Sequence, residues 1–213
     1  MELETKLLII PCCQAKYGSA QQIQQHSVSD FISAKTADLL RQSRDLAFRR
    51  SGTSIDLRSD TCPALFLYSG TMYSIEGFRE EVHLAIDRGM HVLVESGGYG
   101  LVRAEEPIHK YEAQMNRTAP VWRRVLPAVL NDYVKRNHID EVFIAGSKQY
   151  ASVLRHPQWW NSVRCRWFIA HAGRGNGNPY EIVPHEIGVT VRDLLRAACR
   201  PDSRWTSTGT STF

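Results

Sequence analysis

The sequence has no segment that could cross a membrane and no pattern typical of a metal site or a nucleotide-binding loop. Its N-terminal apolar run, residues 7–11, is far shorter than the roughly 20 residues that span a bilayer, and Glu2 and Glu4 precede it. No C-x-x-C or H-x-x-x-H pair occurs, and neither G-x-x-x-x-G-K-[ST] nor G-x-G-x-x-G is present. We therefore expect no signal peptide, no membrane contact, no metal and no cofactor.

The chain also has few cysteines and little net charge. Its five cysteines are an odd number with one adjacent pair, and a chain of 213 residues does not need disulfide staples, so we expect reduced thiols and a cytoplasmic location. A formal charge of +4 permits contact with nucleic acid without requiring it. With 43% hydrophobic residues, the chain can bury one core. We expect a single α/β domain over residues 1–200 and a disordered tail, rich in Ser and Thr, over residues 201–213.

Short, uninterrupted apolar runs predict about five strands. Such runs are typical of strands covered on both faces, as in a parallel sheet. They occupy residues 6–10, 64–68, 91–95, 141–145 and 166–170. Helical periodicity predicts helices over residues 28–48, 75–88 and 121–136, and a further helix that begins at Thr190 as N-cap and runs to Ala198. A polar surface loop is expected over residues 49–63. The alternation of strands and helices indicates a mostly parallel sheet with helices on both faces.

In such a sheet, ligands bind where the loops leave the carboxyl ends of the strands, which directs attention to the loop over residues 11–16. Pro11 ends the first strand, and Cys12, Cys13 and Lys16 follow it. A lysine near a thiol favours the thiolate, so either cysteine is a candidate nucleophile, while Lys16 is a candidate nucleophile or charge clamp. Alternatively, the two thiols are packed inside the protein and Lys16 is solvated.

Other strand-end residues are candidates for binding and proton transfer. The glycine-rich loop over residues 96–100 could hold an anion or a base edge on its amides, or could be a tight turn. Glu105 and Glu106 could place a carboxylate near that loop, although adjacent glutamates are usually solvated. His171 is a candidate proton carrier or a structural histidine. Basic side chains that could follow a phosphate backbone, or could lie on solvated helix faces, include Arg44, Arg49, Arg50, Arg123 and Arg124.

The order of these loops resembles the YaaA (peroxide-stress) superfamily. Its members carry a proline-containing loop ending in lysine after the first strand, then Tyr-x-Gly, then Ser-Gly-x-Tyr-Gly leading to a tyrosine, and finally an Ala-x-x-x-Tyr element. The matching residues of this chain are, in order, 11–16, Tyr68 to Gly70, 96–103, Tyr111 and, approximately, Ala145 to Tyr150. The resemblance covers most of the chain and implies a fold like that of uracil-DNA glycosylase.

The first loop also resembles the Pro-Cys-x-x-x-Lys motif of archaeosine synthases, which act on the nitrile of 7-cyano-7-deazaguanine in transfer RNA. Pro11, Cys12 and Lys16 match, whereas Tyr17 and Gly18 stand where that motif has Pro-Tyr. The departure leaves open whether Cys12, Cys13 or Lys16 attacks. A further resemblance is to the DpdC-type 7-deazaguanine DNA-modification proteins, which convert the nitrile to an amide.

These resemblances imply an enzyme that hydrates the nitrile of 7-cyano-7-deazaguanine in DNA to the amide. Cys12, Cys13 or Lys16 would add to the nitrile carbon, and Glu105 or Glu106 would shuttle the proton. The target base must be flipped out of a duplex before it can be reached. The expected partner is DNA, or RNA, that carries the modified guanine, with other members of a base-modification cluster. The alternatives are a non-catalytic DNA-binding protein of the peroxide-stress type and a base-excising glycosylase. The residues expected to bind the substrate are Pro11, Tyr68, Gly70, Ser96, Gly97, Tyr99, Arg103, Tyr111, Tyr150 and His171.

Overall fold

A five-stranded sheet forms the centre of the molecule. The structure, a computed structural model, describes residues 5–18, 26–53, 55–155, 163–171 and 178–198. The sheet contains β1 (Lys6–Pro11), β3 (His91–Ser96), β4 (Gly100–Arg103), β6 (Glu141–Ser147) and β7 (Arg164–Ala170), in the order β4-β3-β1-β6-β7. β1, β3, β6 and β7 are mutually parallel, and β4 alone is antiparallel, paired with β3. The mostly parallel sheet is therefore confirmed, with one antiparallel edge strand that the sequence pattern did not predict.

The reversal into β4 follows from a tight turn after β3. Residues 97–99 form the turn, and Gly100 has a φ of 76°, a backbone conformation that favours glycine. Ser96 then pairs with Gly100, and Leu93 pairs with Arg103. The turn therefore carries the chain back from the carboxyl end of β3 to its amino end.

The strand predicted over residues 64–68 is wrong, because these residues form a short helix, α2 (Ala64–Leu67). It follows β2 (Cys62–Pro63), which pairs in a separate two-stranded sheet with β5 (Pro107–Ile108). The amides of Ala64 and Leu65 donate to the carbonyls of Glu106 and Ala104. Three of the four α2 residues are buried, and a short buried apolar run has the same composition in a helix as in a strand.

The helices predicted over residues 28–48 and 75–88 are present with other boundaries, and two further short helices lie outside the predicted ranges. A 3-10 helix (Val28–Phe31) precedes α1 (Ala34–Ser51), which is capped by Ser33 and ends at Gly52. A second 3-10 helix (Thr71–Ser74) precedes α3 (Phe78–Asp87), and β6 leads directly into α5 (Lys148–Leu154). The predicted surface loop therefore loses its first residues to α1 and its last two to the buried β2.

Two long helices begin earlier than their patterns predict. α4 (Met115–Arg136) starts six residues before the predicted residue 121 and contains Pro120 and Pro127. α6 (Pro179–Ala198) includes Thr190 in its interior, so Thr190 is not an N-cap. The predicted tail, residues 201–213, lies outside the described residues.

Helices cover both faces of the sheet, as predicted. On one face, Leu8, Ile10 and Val94 pack with residues of α2, α3 and α6; on the other, Leu7, Ile9 and Leu93 pack with residues of α1 and α4. Alternate residues of each strand thus enter opposite cores, which explains the continuous apolar runs. In the described part of the chain, no helix is long and apolar enough to span a membrane.

Candidate functional site

The site lies at the carboxyl edge of the sheet, where β1, β3, β6 and β7 end. Pro11 is the last residue of β1 and pairs with Glu95 of β3, and the Cys12 amide donates to the Glu95 carbonyl at 2.8 Å. The loop that follows runs beside the segment after α2. Lys16 forms an isolated bridge with Tyr68, and the Ser69 amide donates to the Ala15 carbonyl at 3.0 Å. The structure therefore brings the first loop and the Tyr68 to Gly70 segment together, although the latter does not follow a strand.

The thiol of Cys12 contacts the hydroxyl of one tyrosine, Tyr150, and two further buried tyrosines, Tyr68 and Tyr111, belong to the same site. The Cys12 Sγ lies 3.2 Å from the hydroxyl oxygen of Tyr150, on α5. Burial raises the pKa of Tyr68, Tyr111 and Tyr150 well above the usual range of tyrosine, and the nearby Cys12 raises each of these pKa values further. The three phenols therefore keep their protons, and the Tyr150 hydroxyl could donate a hydrogen bond to a negative charge that forms at or beside the sulfur.

The thiol of Cys13 is held in a different environment. The Gly70 amide donates to its Sγ at 3.2 Å, and the thiol donates to the Ala15 carbonyl at 3.1 Å. Burial raises the pKa of Cys13 to about 11. A Cβ at Gly70 would lie 2.9 Å from the Cys13 Cβ, so the two residues are packed together. Cys13 therefore acts as a packed thiol that fixes the loop against Gly70.

The amine of Lys16 is buried against an aromatic ring. Lys16 is 8% exposed, its Nζ donates to the Gln14 carbonyl at 2.9 Å, and the same Nζ lies 4.4 Å from the centroid of the Tyr111 ring. A carbonyl and an aromatic face are both partners of an ammonium cation. This arrangement suits a positive charge held beside the site better than a neutral amine that attacks.

A chain of hydroxyl groups links the loops around Cys12. The hydroxyl oxygens of Tyr68 and Tyr111 lie 2.8 Å apart, and the Tyr111 hydroxyl lies 2.7 Å from the Oγ of Ser96. Ser96 Oγ in turn accepts from the Tyr99 amide at 3.0 Å. All four residues are buried, so the network is rigid and has a defined geometry.

The glycine loop shapes this network. A Cβ at Gly98 would meet the rings of Tyr111 and Phe48, and the Gly97 carbonyl accepts from the Trp122 indole at 2.7 Å. Tyr99 is buried, and desolvation raises its pKa to about 12. Gly97 and Tyr99 therefore have structural contacts in the described part of the chain.

Sequence reasoning missed Glu95, which the structure places next to the site. Glu95 is 1% exposed at the end of β3, and its Oε1 has no hydrogen-bond partner among the described residues. Burial raises the pKa of Glu95 well above its usual range, and Glu95 contributes to the raised pKa of Tyr150. The available signal was a charged residue that directly follows the apolar residues 92–94 near the carboxyl end of the strand.

Glu105 and Glu106 lie at the opposite edge of the sheet from Cys12. The amide of the preceding residue, Ala104, donates to the carbonyl of Val92 near the start of β3. The Glu106 carboxylate accepts from the Val28 amide at 2.7 Å and lies 3.5 Å from the guanidinium of Arg44. These contacts give Glu106 a structural role. Because β4 runs antiparallel to β3, the two glutamates that follow β4 lie at the amino edge of the sheet.

Arg103 lies with these glutamates and away from Cys12. Its guanidinium pairs with Glu105 at 3.2 Å, donates to the Tyr133 hydroxyl and lies 4.1 Å from the Phe31 ring centroid. Arg44 is also committed to structure, because it donates to the carbonyls of Tyr99 and Leu101. Both guanidinium groups therefore have protein partners in the described part of the chain.

The other predicted basic residues are exposed. Arg50 at the end of α1 donates to the Arg117 carbonyl near the start of α4, and a Cβ at Gly97 would meet the Met115 amide. These contacts place the end of α1 and the start of α4 at the carboxyl edge. Arg123 donates to Ser152 of α5 at 3.0 Å. Exposed arginines near this edge are Arg49, Arg50, Arg117, Arg123 and Arg124.

An open groove of about 770 Å³ adjoins the Cys13 side of the site. It lies between the segment that contains Gly70 and the helix α6. Its lining residues are Ser69, Gly70, Thr71, Ser74, Ile75, Glu76, His185, Val189 and Arg192. His171 lies elsewhere, exposed directly after β7.

Within the ranges that the structure describes, no three His, Cys, Asp or Glu side chains are grouped as metal ligands would be. A search of protein-family models finds no match to the chain, and a search of curated proteins finds no significant relative.

Proposed function

We propose that this chain is a nucleic-acid base-modifying enzyme that hydrates the nitrile of 7-cyano-7-deazaguanine in DNA to the amide, with Cys12 as the nucleophile. The observation that carries the proposal is the half-buried Cys12, whose thiol lies 3.2 Å from the Tyr150 hydroxyl at the carboxyl edge of the sheet. A thiol is a strong nucleophile toward a polarised carbon, and buried hydroxyls can stabilise charge on the group it attacks.

The geometry favours Cys12 over the other two candidate nucleophiles. With a pKa of about 11, Cys13 holds a much smaller thiolate fraction at neutral pH than an ordinary cysteine. The amine of Lys16 is engaged by the Gln14 carbonyl and the Tyr111 ring. Cys12 alone among the three has its reactive atom against the hydroxyl of Tyr150.

The chemistry requires no group beyond water. The Cys12 sulfur forms a bond to the nitrile carbon, one C–N π bond breaks, and the nitrogen takes up a proton to give a neutral thioimidate. Water then adds to the same carbon, the nitrogen gains a second proton, and the C–S bond breaks. The products are the amide and the free thiol of Cys12.

Basic side chains near the carboxyl edge support a nucleic-acid substrate. The exposed Arg49, Arg50, Arg117 and Arg123 lie toward the same edge as Cys12 and are suited to a phosphate backbone. The open groove beside Gly70 offers room for the strand that flanks a flipped nucleotide. Binding should therefore weaken steeply as salt rises.

This proposal includes the family and setting that the sequence resemblance implies. We propose membership of the YaaA superfamily, a relationship to the DpdC-type proteins, a fold like that of uracil-DNA glycosylase, and action in the cytoplasm with other members of a base-modification cluster. The parallel strands and the position of the loop over residues 11–16 at their carboxyl edge are consistent with these assignments.

The test is a product assay with defined substrates. Duplex DNA, single-stranded DNA, RNA and the free base, each containing 7-cyano-7-deazaguanine, are incubated with the protein, and the nucleosides are analysed by mass spectrometry. We expect the DNA nucleoside to gain one water. Release of the free base would instead indicate a glycosylase, and tight binding with an unchanged nucleoside would indicate the non-catalytic DNA-binding alternative.

Three variants test the nucleophile in the same assay. Cys12→Ala should abolish turnover while DNA binding, measured by fluorescence anisotropy, stays intact. Cys13→Ser is the matched control and should retain turnover, because a hydroxyl replaces the thiol and can keep the contacts with the Gly70 amide and the Ala15 carbonyl. Lys16→Ala should reduce turnover without abolishing it. Full turnover in Cys12→Ala would overturn the covalent step.

A further inference from the structure

Tyr17 presents an exposed aromatic ring next to the cysteine loop. It directly follows Lys16 and is 83% exposed, whereas Tyr68 and Tyr73, in the segment beside it, are buried. Single exposed aromatic side chains are common on protein surfaces, so the position of Tyr17 is what distinguishes it. Because the ring buries little surface, it adds little to the stability of the fold and remains accessible to a ligand.

The backbone at Tyr17 is fixed although its ring is exposed. The Tyr17 amide donates to the Ser69 Oγ at 3.2 Å, and the Gly18 amide donates to the Leu67 carbonyl at 3.3 Å. Residues 16–18 therefore run beside residues 67–69. An aromatic ring on a fixed backbone loses little conformational freedom when it binds a ligand, which favours affinity.

The hydrogen bond to Ser69 places Tyr17 beside the open groove. Ser69 and Gly70 both line the groove, and the Gly70 amide also donates to the Cys13 sulfur at 3.2 Å. The groove therefore adjoins Tyr17 and the cysteine loop, and its other wall is the helix α6.

The groove is polar, and the formal charges of its lining balance. Its polar side chains are three hydroxyls, an imidazole, one carboxylate and one guanidinium: Ser69, Thr71, Ser74, His185, Glu76 and Arg192. The guanidinium of Arg192 also pairs with Asp193 at 2.8 Å. Hydroxyl groups bind sugar and phosphate oxygens, and the balanced charge means that electrostatic attraction to phosphate is modest here.

The groove and the exposed arginines lie on opposite sides of Cys12. The groove lies on the face of the sheet that packs against α3 and α6, whereas Arg50 and Arg123 belong to α1 and α4 on the other face. Cys12 directly follows β1, the central strand of the sheet. A nucleic-acid strand that crosses the carboxyl edge would therefore meet arginines on one side of the target nucleotide and Tyr17 on the other.

We propose that Tyr17 and the groove bind the nucleotide next to the target, with the Tyr17 ring stacked on its base and the groove holding its sugar and phosphate. This inference rests on the proposed function. Every base has an aromatic face, so stacking on a side chain does not depend on sequence. When the target base is flipped out, its neighbour loses a stacking partner, and the ring of Tyr17 takes that place. The protein therefore requires a polynucleotide rather than a free base.

The experiment compares Tyr17→Ala and Tyr17→Phe with the parent protein. Each is titrated into labelled single-stranded DNA that contains 7-cyano-7-deazaguanine, and binding is measured by fluorescence anisotropy. We expect Tyr17→Ala to weaken binding on the order of 10- to 100-fold, which is the usual effect of losing one stacked base. Tyr17→Phe should bind like the parent, because it keeps the ring.

Salt dependence separates stacking from phosphate contact. Tyr17→Ala should leave the slope of log Kd against log salt unchanged, whereas Arg50→Ala should reduce that slope by about one. The fluorescence of 2-aminopurine next to the target base reports stacking directly. It should fall on binding to the parent and to Tyr17→Phe but not to Tyr17→Ala, and only when the probe occupies one of the two neighbouring positions.

Leu84→Ala is the control, since Leu84 is an exposed apolar residue near the end of α3, which leads to the amino end of β3. It should change neither affinity nor probe fluorescence. Equal affinity of Tyr17→Ala and the parent, or quenching that persists in Tyr17→Ala, would overturn this site and leave the proposed function in place. DNA binding through Tyr17 without conversion of the nitrile would support the site and overturn the proposed chemistry. A parent protein that does not bind DNA would overturn both.

Discussion

The sulfur of Cys12 lies 3.2 Å from the hydroxyl oxygen of Tyr150, although 138 residues separate them in the chain. Cys12 leaves the carboxyl end of β1, and Tyr150 lies in the first turns of α5, directly after β6. β1 and β6 are adjacent and parallel, so both residues emerge at the same edge. This contact links the nucleophile to the helix that starts directly from the strand beside β1, and it carries the first prediction.

Tyr150→Phe should slow nitrile turnover by about 100-fold, the usual effect of removing one donor that stabilises developing charge. The ring remains, so the free energy of unfolding should change little. Turnover and urea unfolding measure the two effects. Tyr133→Phe is the control, because Tyr133 is buried at the amino edge, where its hydroxyl contacts His91. That variant should lose stability and keep turnover; a Tyr150→Phe protein with full turnover would contradict the contact's role.

Cys13 should react with iodoacetamide far more slowly than an ordinary thiol. Burial raises its pKa to about 11, so roughly one thiol in ten thousand is ionised at pH 7, given that each pKa unit changes the ratio tenfold. Peptide mapping after timed alkylation measures the rate at each cysteine. Unfolding the protein in urea should remove the protection. Rapid labelling of Cys13 in the folded protein would show that the Gly70 contact does not hold in solution.

Gly70→Ala should displace the cysteine loop. A Cβ at this position would lie 2.9 Å from the Cys13 Cβ and 3.0 Å from its Sγ, and overpacking of this kind costs about 1 to 3 kcal/mol. Turnover should fall as well, because Cys12 directly precedes Cys13 in the displaced loop. Gly146→Ala is the comparison, since its Cβ would meet the Tyr150 Cβ at an ordinary 3.4 Å. Gly70→Ala should therefore have a lower melting temperature and a lower turnover than Gly146→Ala.

His91 should make the protein less stable as pH falls below about 6.5. Burial, and secondly Arg103, lower its pKa to about 4 from an ordinary value of 6.5. Between these values the unfolded state binds more protons, so the free energy of unfolding decreases as pH drops through this window. Because the ring is only partly shielded from solvent, we expect a loss of about 1 to 2 kcal/mol.

Urea unfolding at several pH values between 5 and 7 measures this effect, since most carboxylates remain ionised there. His91→Gln should flatten the slope. His185→Gln should preserve it, because His185 is exposed on α6. An unchanged slope in His91→Gln would assign the pH dependence to another group.

The sequence alone indicated the α/β class, four of the five strands of the sheet, and the loop over residues 11–16. Short apolar runs reveal strands buried on both faces, and parallel strands place their following loops at one edge. The same apolar composition led to a wrong strand prediction at residues 64–68. Three of the four residues of the helix α2 are buried, as the residues of the sheet strands are. Thr190 misled in a different way: an N-cap residue type is compatible with a helix interior, and α6 begins at Pro179.

Only the tertiary structure decided which of three glutamates lies at the same edge of the sheet as the cysteine. Glu95, Glu105 and Glu106 lie within twelve residues of one another, and the sequence favoured the adjacent pair. The turn at residues 97–99 sends β4 back along β3, so Glu105 and Glu106 reach the amino edge while Glu95 stays at the carboxyl edge, where its carbonyl accepts from the Cys12 amide. Local sequence patterns determine which segments are strands, whereas the direction of an edge strand depends on a turn and on its hydrogen bonds with a partner. The sequence therefore predicts the loop that carries Cys12, but it does not predict the groups that surround the thiol.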